Sequence, residues 1–211
     1  MSLIIFHEIG HLTSAKIFNW QVDKIYIYPL GGITRFNDKI NKPLVEDLIV
    51  TLMGPIFQII LAYFLINLDS RVYLFNKTLL LFNLLPIAPL DGSKLVAVFL
   101  SLIIRYKKSL YLNIVISFIT YLFVLSYFIL YKNSIIFLFV IFLLFFKIID
   151  EKNKISFYFD KFLLERYLYI FKFKKTKVVK DVNNFYKYKN NIVKTSKLKT
   201  EKELLKEYFE K

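Results

Sequence analysis

Two histidines are the whole histidine content of this 211-residue chain, and they stand four residues apart, at His7 and His11, with Glu8 directly after the first. On a helix, residues i and i+4 share a face, so both imidazoles can turn a nitrogen toward one cation. Glu8 then lies where it can take the proton of a water that the cation acidifies. This is the H-E-x-x-H arrangement of zinc-dependent hydrolysis. The bland alternative is two histidines packed separately in an apolar helix.

A catalytic zinc takes three protein ligands and keeps one position open. The chain has no third histidine and no cysteine, so the third ligand must be a carboxylate. Asp23, Asp38, Glu46, Asp47 and Asp69 stand in loops or at a helix start and read as solvated surface charges. Asp91 differs. It closes the run Asn83-Leu84-Leu85-Pro86-Ile87-Ala88-Pro89-Leu90-Asp91-Gly92, in which two prolines forbid a regular helix. Broken backbone at membrane depth is tolerated only where it lines a polar cavity, and an intramembrane carboxylate there is a ligand candidate. The competing role for Asp91 is a helix cap ahead of Lys94.

The elements that must position these groups are apolar. Hydrophobic residues make up 56% of the chain and the mean hydropathy is +0.48, above the usual range for a soluble domain. Leu110–Tyr131 is uncharged over a length that crosses a hydrocarbon core, which takes about 20 helical residues. Leu44–Leu68, with Gly54-Pro55 inside it, Val72–Leu85, a short helix from Lys94 to Ile104 and Ser134–Ile149 are the other apolar helices, after a first one over Ser2–Phe18. Gln21–Tyr28 alternates in strand fashion, and Pro29, Gly31 and Gly32 predict a turn before Ile33–Phe36. The N-terminus lacks a basic region and a small-residue cleavage site, so no cleavable signal peptide is expected.

The net charge of +14 is uneven. Lysine and arginine gather in Asn19–Lys42, in Arg105–Lys108 and from Asp150 onward, where 17 basic residues face 9 acidic ones. Placing those three regions on the cytoplasmic side makes every helix alternate correctly. Phe157–Phe173 reads equally as an amphipathic helix on the membrane surface or as a helix packed under the bundle. Glu201–Lys211 predicts a terminal helix capped by Thr200, with Leu204, Leu205, Tyr208 and Phe209 on one face. Interleaved Tyr, Phe and Lys also suit single-stranded nucleic acid, but a tail tethered beside a hydrolytic site argues for no nucleic acid and for docking of a protein substrate.

In this order, "HEIGH", "GPIFQ" and "NLLPIAPLDG" resemble the motifs of the site-2 protease family of intramembrane zinc metalloproteases, and "PLGG" is similar to the turn of the stage IV sporulation protein FB branch. The resemblance covers roughly residues 1–105. It implies Zn2+ as cofactor, held by His7, His11 and Asp91, with Glu8 as the catalytic base. It also implies substrate-binding roles for Asn83, Pro86, Gln58, Gly31 and Gly32. Two departures stand out: Gln58 replaces the family's asparagine, and only six residues precede the zinc motif where relatives carry a further helix. Relatives of the sporulation type can carry a nucleotide-binding domain, but the region after Asp150 has no glycine, so no nucleotide pocket is expected.

The expected fold is an all-α polytopic, multi-pass integral membrane protein: about five hydrophobic helices with a short strand-like hairpin and a basic cytoplasmic tail. Residues 1–149 form the transmembrane metalloprotease core and 150–211 the tail, with the active site toward the cytoplasmic side. The expected activity is cleavage of a peptide bond in or near a transmembrane segment of a membrane-associated precursor, a sporulation sigma-factor precursor among the candidates. The partners are that protein substrate, the lipid bilayer, and a second copy or a regulatory membrane protein. The alternative is a catalytically inactive membrane scaffold from the same family. A pump using Glu8 and Asp91 as a proton site is disfavoured by the lack of further intramembrane acids.

Overall fold

The computed structural model describes residues 2–28, 31–36, 40–65, 70–131, 135–194 and 198–210. Helix α1 (Ser2–Ile17) leads into a hairpin of β1 (Val22–Tyr28) and β2 (Gly31–Phe36), and α2 (Leu44–Leu65), α3 (Ser70–Asn83), α4 (Asp91–Ile103), α5 (Tyr106–Tyr131) and α6 (Ile135–Asn153) follow. The region beyond contains α7 (Ile155–Leu168), β3 (Thr176–Val179), β4 (Asn190–Lys194), β5 (Leu198–Lys199) and α8 (Glu201–Phe209). The protein is mostly helical, and its long helices α2 and α5 carry apolar residues on their outer faces. Residues such as Ile59, Tyr63 and Phe64 on α2 and Phe123 and Leu130 on α5 are exposed, an inversion of soluble packing that suits a hydrocarbon solvent. Among the described residues, α2 and α5 are long and apolar enough to cross a membrane.

Helices α1 and α2 form the most extensive helix pair. Their crossing is close because Gly10 lies against the Met53 carbonyl, where a side chain would not fit; small residues at such crossings let backbones meet. Pro55 is accommodated inside a continuous α2. The α3–α4 connection packs through Ile87 onto Tyr121, Ile141, Leu144 and Ile148 of α5 and α6. It is pinned there by the Ala88 amide donating to Ser117 Oγ (3.1 Å) and by Asn113 Nδ2 donating to Ser93 Oγ (2.9 Å).

The hairpin is antiparallel, with Tyr28 opposite Gly31 and Ile27 opposite Gly32. Gly31 and Gly32 are therefore ladder residues of β2, which lies beside α1, and not the turn that their type suggested. The expected turn residue Pro29 is outside the described residues, as are Asp38 and Asp69. Residues 155–210 have their own core, in which Phe159, Phe162, Leu163, Val179, Val182, Phe185, Val193 and Leu205 pack with Tyr106 at the start of α5. The strands run in the order β3-β4-β5, with β3 and β4 parallel. Thr200 caps α8 in a reciprocal capping box with Glu203, as the spacing predicts.

A buried polar hub ties this unit to the bundle. Glu165 accepts from the Ile40 amide (2.9 Å), the Asn41 amide (3.0 Å) and Asn41 Nδ2 (3.0 Å). Arg166 Nε donates to Asn41 Oδ1 (2.8 Å), while its other nitrogens reach Glu201 and the carbonyls of Tyr186, Lys187 and Lys189. Burial pulls the Arg166 pKa below the ordinary arginine value, and Glu201 opposes that pull. Asp47 is not the solvated charge that its place at a helix start suggested. Lys187 Nζ and Tyr188 OH both donate to its Oδ2 at 2.6 Å, and burial beside this carboxylate pushes the Tyr188 hydroxyl up.

Replacing Arg166 with leucine leaves the half-buried Glu201 carboxylate without its cation and removes the donors to Asn41 Oδ1 and the Lys187 carbonyl. Breaking a buried pair of this kind costs about 3–5 kcal/mol. The Arg166→Leu protein is expected to lose residues 169–210 to trypsin at least about tenfold faster, while α1–α6 stay protected.

Candidate metal centre

The site is assembled from α1, α2 and the first turn of α4. His7 and His11 face α2 from one side of α1, both almost fully buried, with Glu8 buried between them in sequence. Asp91 is the first residue of α4 and is buried. The cap position is held by Leu90, so Asp91 does not cap the helix. His7 Nε2 lies 2.8 Å from Asp91 Oδ2, His11 Nε2 lies 3.0 Å from the same oxygen, and the two Nε2 atoms are 3.1 Å apart.

The other ring nitrogens set which tautomer each ring adopts when neutral. His11 Nδ1 is 2.7 Å from the Val50 carbonyl, which only accepts, so this nitrogen carries the proton. His7 Nδ1 is 2.8 Å from Gln58 Oε1 and donates likewise. In the neutral rings both Nε2 atoms are then bare acceptors. With the Asp91 oxygen they form a triangle of three lone pairs and no proton, which is repulsive unless a cation fills it. Tetrahedral zinc with bonds of 2.0–2.1 Å separates its ligand atoms by about 3.3 Å, so these donors need only small shifts to hold one.

Supporting groups surround the triangle. Val50, Gly54 and Gln58 follow one another at four-residue steps on one face of α2. Val50 and Gln58 orient the two histidines, and Gly54 leaves room for the His11 ring, which a Cβ there would overlap. Gln58 is itself braced by Asn76 of α3, whose Nδ2 donates to the Gln58 carbonyl (3.0 Å). Lys94 Nζ donates to Asp91 Oδ1 (2.8 Å), leaving Oδ2 for the histidines. Glu46, another acid read as solvated, accepts from Trp20 Nε1 (2.9 Å) and joins the end of α1 to α2.

The structure thus brings His7, His11 and Asp91 together, with Gln58 behind His7. Asn83 is buried at the end of α3 and Pro86 is half-buried in the connection to Asp91; neither belongs to the donor group. Gly31 and Gly32 stand in the hairpin. The roles of the Val50 carbonyl, Gly54, Asn76 and Lys94 were not apparent from the sequence. Gly54 had a signal, since a glycine before a helical proline marks a close approach as readily as a break. A main-chain acceptor such as Val50 has none.

The model of Peptidase family M50 matches residues 1–72. The chain is 30% identical over 122 residues to stage IV sporulation protein FB of Bacillus subtilis, which covers 53% of this chain and 42% of that protein. It is 31% identical over 117 residues to a zinc metalloprotease of Methanocaldococcus jannaschii, covering 50% and 34%. Among solved structures, the site-2 protease from Methanocaldococcus jannaschii superimposes with a TM-score of 0.60 at 28% identity, over 71% of this chain and 74% of that one. The chain spans less than half the length of these curated relatives. Donor chemistry and relatives agree on the metal: the cofactor is zinc.

Groups that orient a ligand set by hydrogen bonding are worth about 10–100-fold in metal affinity. Gln58→Leu removes the acceptor on His7, and Gly54→Ala crowds His11 while retaining a good helix former. Each is expected to weaken zinc at least about tenfold in competition with a chromophoric chelator, with α-helix content unchanged.

Proposed function

The chain belongs to the site-2 protease family, and on that premise we propose that it is an intramembrane zinc endopeptidase, acting on a peptide bond in or near a membrane-embedded segment of a protein substrate. The observation that carries this reading is the buried convergence of His7, His11 and Asp91 with Glu8 on the same helix. Zinc, when bound, supplies Lewis acidity, which polarises an amide carbonyl and acidifies a water near neutral pH.

The chain's own residues do the rest. His7 and His11, locked by Gln58 and Val50, and Asp91, locked by Lys94, would hold the ion. Glu8 takes the proton of the attacking water and returns it to the leaving amine. A substrate helix satisfies its own backbone and must unwind before its carbonyl is reachable. A free edge of the β1–β2 hairpin, with Gly31 and Gly32 at its turn end, offers the unwound segment a strand to pair with. Asn83 and Pro86 would shape the approach to the site from the α3–α4 connection.

The basic clusters support a multi-pass protein with its active site toward the cytoplasmic side. The likeness to stage IV sporulation protein FB supports a membrane-associated precursor, with a sporulation sigma-factor precursor as one candidate. Residues 1–149 would be the catalytic core. The unit beyond them would dock the soluble part of the substrate, with a second copy or a regulatory membrane protein as a further partner.

Co-expression with a candidate single-span precursor tests this. The unaltered chain is expected to release a shortened product. Glu8→Gln is expected to abolish it, by about 10²-fold or more, while retaining one zinc per chain; His11→Ala is expected to lose both product and zinc. An unaltered chain that binds zinc and cleaves no precursor would favour the inactive scaffold, for which the substitution at Gln58 is the motive. Equal cleavage by all three proteins would contradict the mechanism.

A further inference from the structure

Helix α7 is apolar on two opposite faces. Ile155, Phe159, Phe162 and Leu163 pack inward. On the other side, Phe157 (63% exposed), Leu164 (43%) and Leu168 (61%) follow at i, i+7 and i+11, which is one stripe of a helix. Ile170, at 82%, extends it. An exposed stripe of this kind needs a cover.

The contacts of α7 show where that cover lies. A single residue separates its start from the end of α6. Midway, Phe162 packs its ring 4.5 Å from that of Tyr106, the first residue of α5. Near its end, Glu165 holds the Ile40 and Asn41 amides, just ahead of α2. The end of α6 and the starts of α5 and α2 all belong to one side of the membrane. A 14-residue helix is about 21 Å long, so α7 lies across that side, along the membrane plane and not away from it. The segment after it carries exposed Lys172, Lys174, Lys175, Lys177 and Lys180, with no acidic residue between Glu165 and Asp181.

We propose that the Phe157–Leu164–Leu168 stripe and Ile170 insert into the headgroup region of the bilayer, and that the lysines of 172–180 bind anionic lipid headgroups there. Apolar insertion and basic attraction are the two components of interfacial helix binding. Lys161, between Phe157 and Leu164 on this side, suits it too: its ammonium lies 4.0 Å from Glu165, which leaves its stem to lie along lipid. The site is independent of catalysis, so it stands or falls apart from the protease reading.

The chain has no cysteine, so single labels are clean. Full-length Leu164→Cys, Leu168→Cys and Ile170→Cys proteins would carry an environment-sensitive fluorophore in nanodiscs. The discs would contain phosphatidylcholine, alone or with phosphatidylglycerol, and a shallow spin-labelled lipid as quencher. Phe123→Cys on the lipid-facing side of α5 and Lys206→Cys on α8 give the two reference levels. Quenching at 164 and 168 is expected to reach at least about half that at 123 and to exceed that at 206 several-fold. Phosphatidylglycerol is expected to raise quenching at 170, and glutamine at 172, 174, 175 and 177 to cancel the rise. Quenching at 164 and 168 no greater than at 206, or no response at 170 to lipid charge, would overturn the proposal. So would an apolar signal arising only with added precursor or with two chains per disc, which would make the cover a protein.

Discussion

Three ligand atoms meet at the centre of this protein, and with both rings neutral no proton lies between them. The Nε2 atoms of His7 and His11 and Oδ2 of Asp91 lie 2.8–3.1 Å apart, and each ring has its proton on the far side, committed to Val50 or Gln58. In an apolar interior such a set is costly unless a cation compensates it. The remaining architecture can be understood as the means of holding these atoms where a metal ion can bind between them.

Helix α2 is the frame on which that depends. Val50, Gly54 and Gln58 occupy one face of it: the first and last orient the two imidazoles, and the glycine makes room for one of them. Gly10 on α1 supplies the matching clearance. The N-terminal turn of α2 is fastened by Glu46 to Trp20 and by Asp47 to Lys187 and Tyr188. These contacts link the region beyond α6 mechanically to the helix that orients the ligands. Asp91 is delivered separately, by a proline-broken connection anchored on α5 and α6.

The chemistry was legible because it is local. A pair of histidines at helical spacing with an adjacent glutamate specifies its geometry over one turn, and a carboxylate after a double-proline break has few other reasons to be buried. The helix cap at Thr200 was legible for the same reason. What escaped notice depends on pairs remote in sequence. Asn41 and Glu165 are 124 positions apart, and Asp47 and Lys187 are 140 apart. Composition records such residues only as charges, so Asp47 looked solvated and the basic region looked like a tail. Gly31 and Gly32 misled in another way, since glycines after a proline suit a turn and the start of a ladder equally well.

Zinc-edge X-ray absorption of the purified protein tests the central claim most directly. The account predicts one zinc per chain with two imidazole nitrogens and a carboxylate oxygen at about 2.0–2.2 Å, and one imidazole fewer in the His11→Ala protein wherever zinc is retained. A chain that binds no zinc, or a metal environment unchanged by loss of His11 or Asp91, would contradict it.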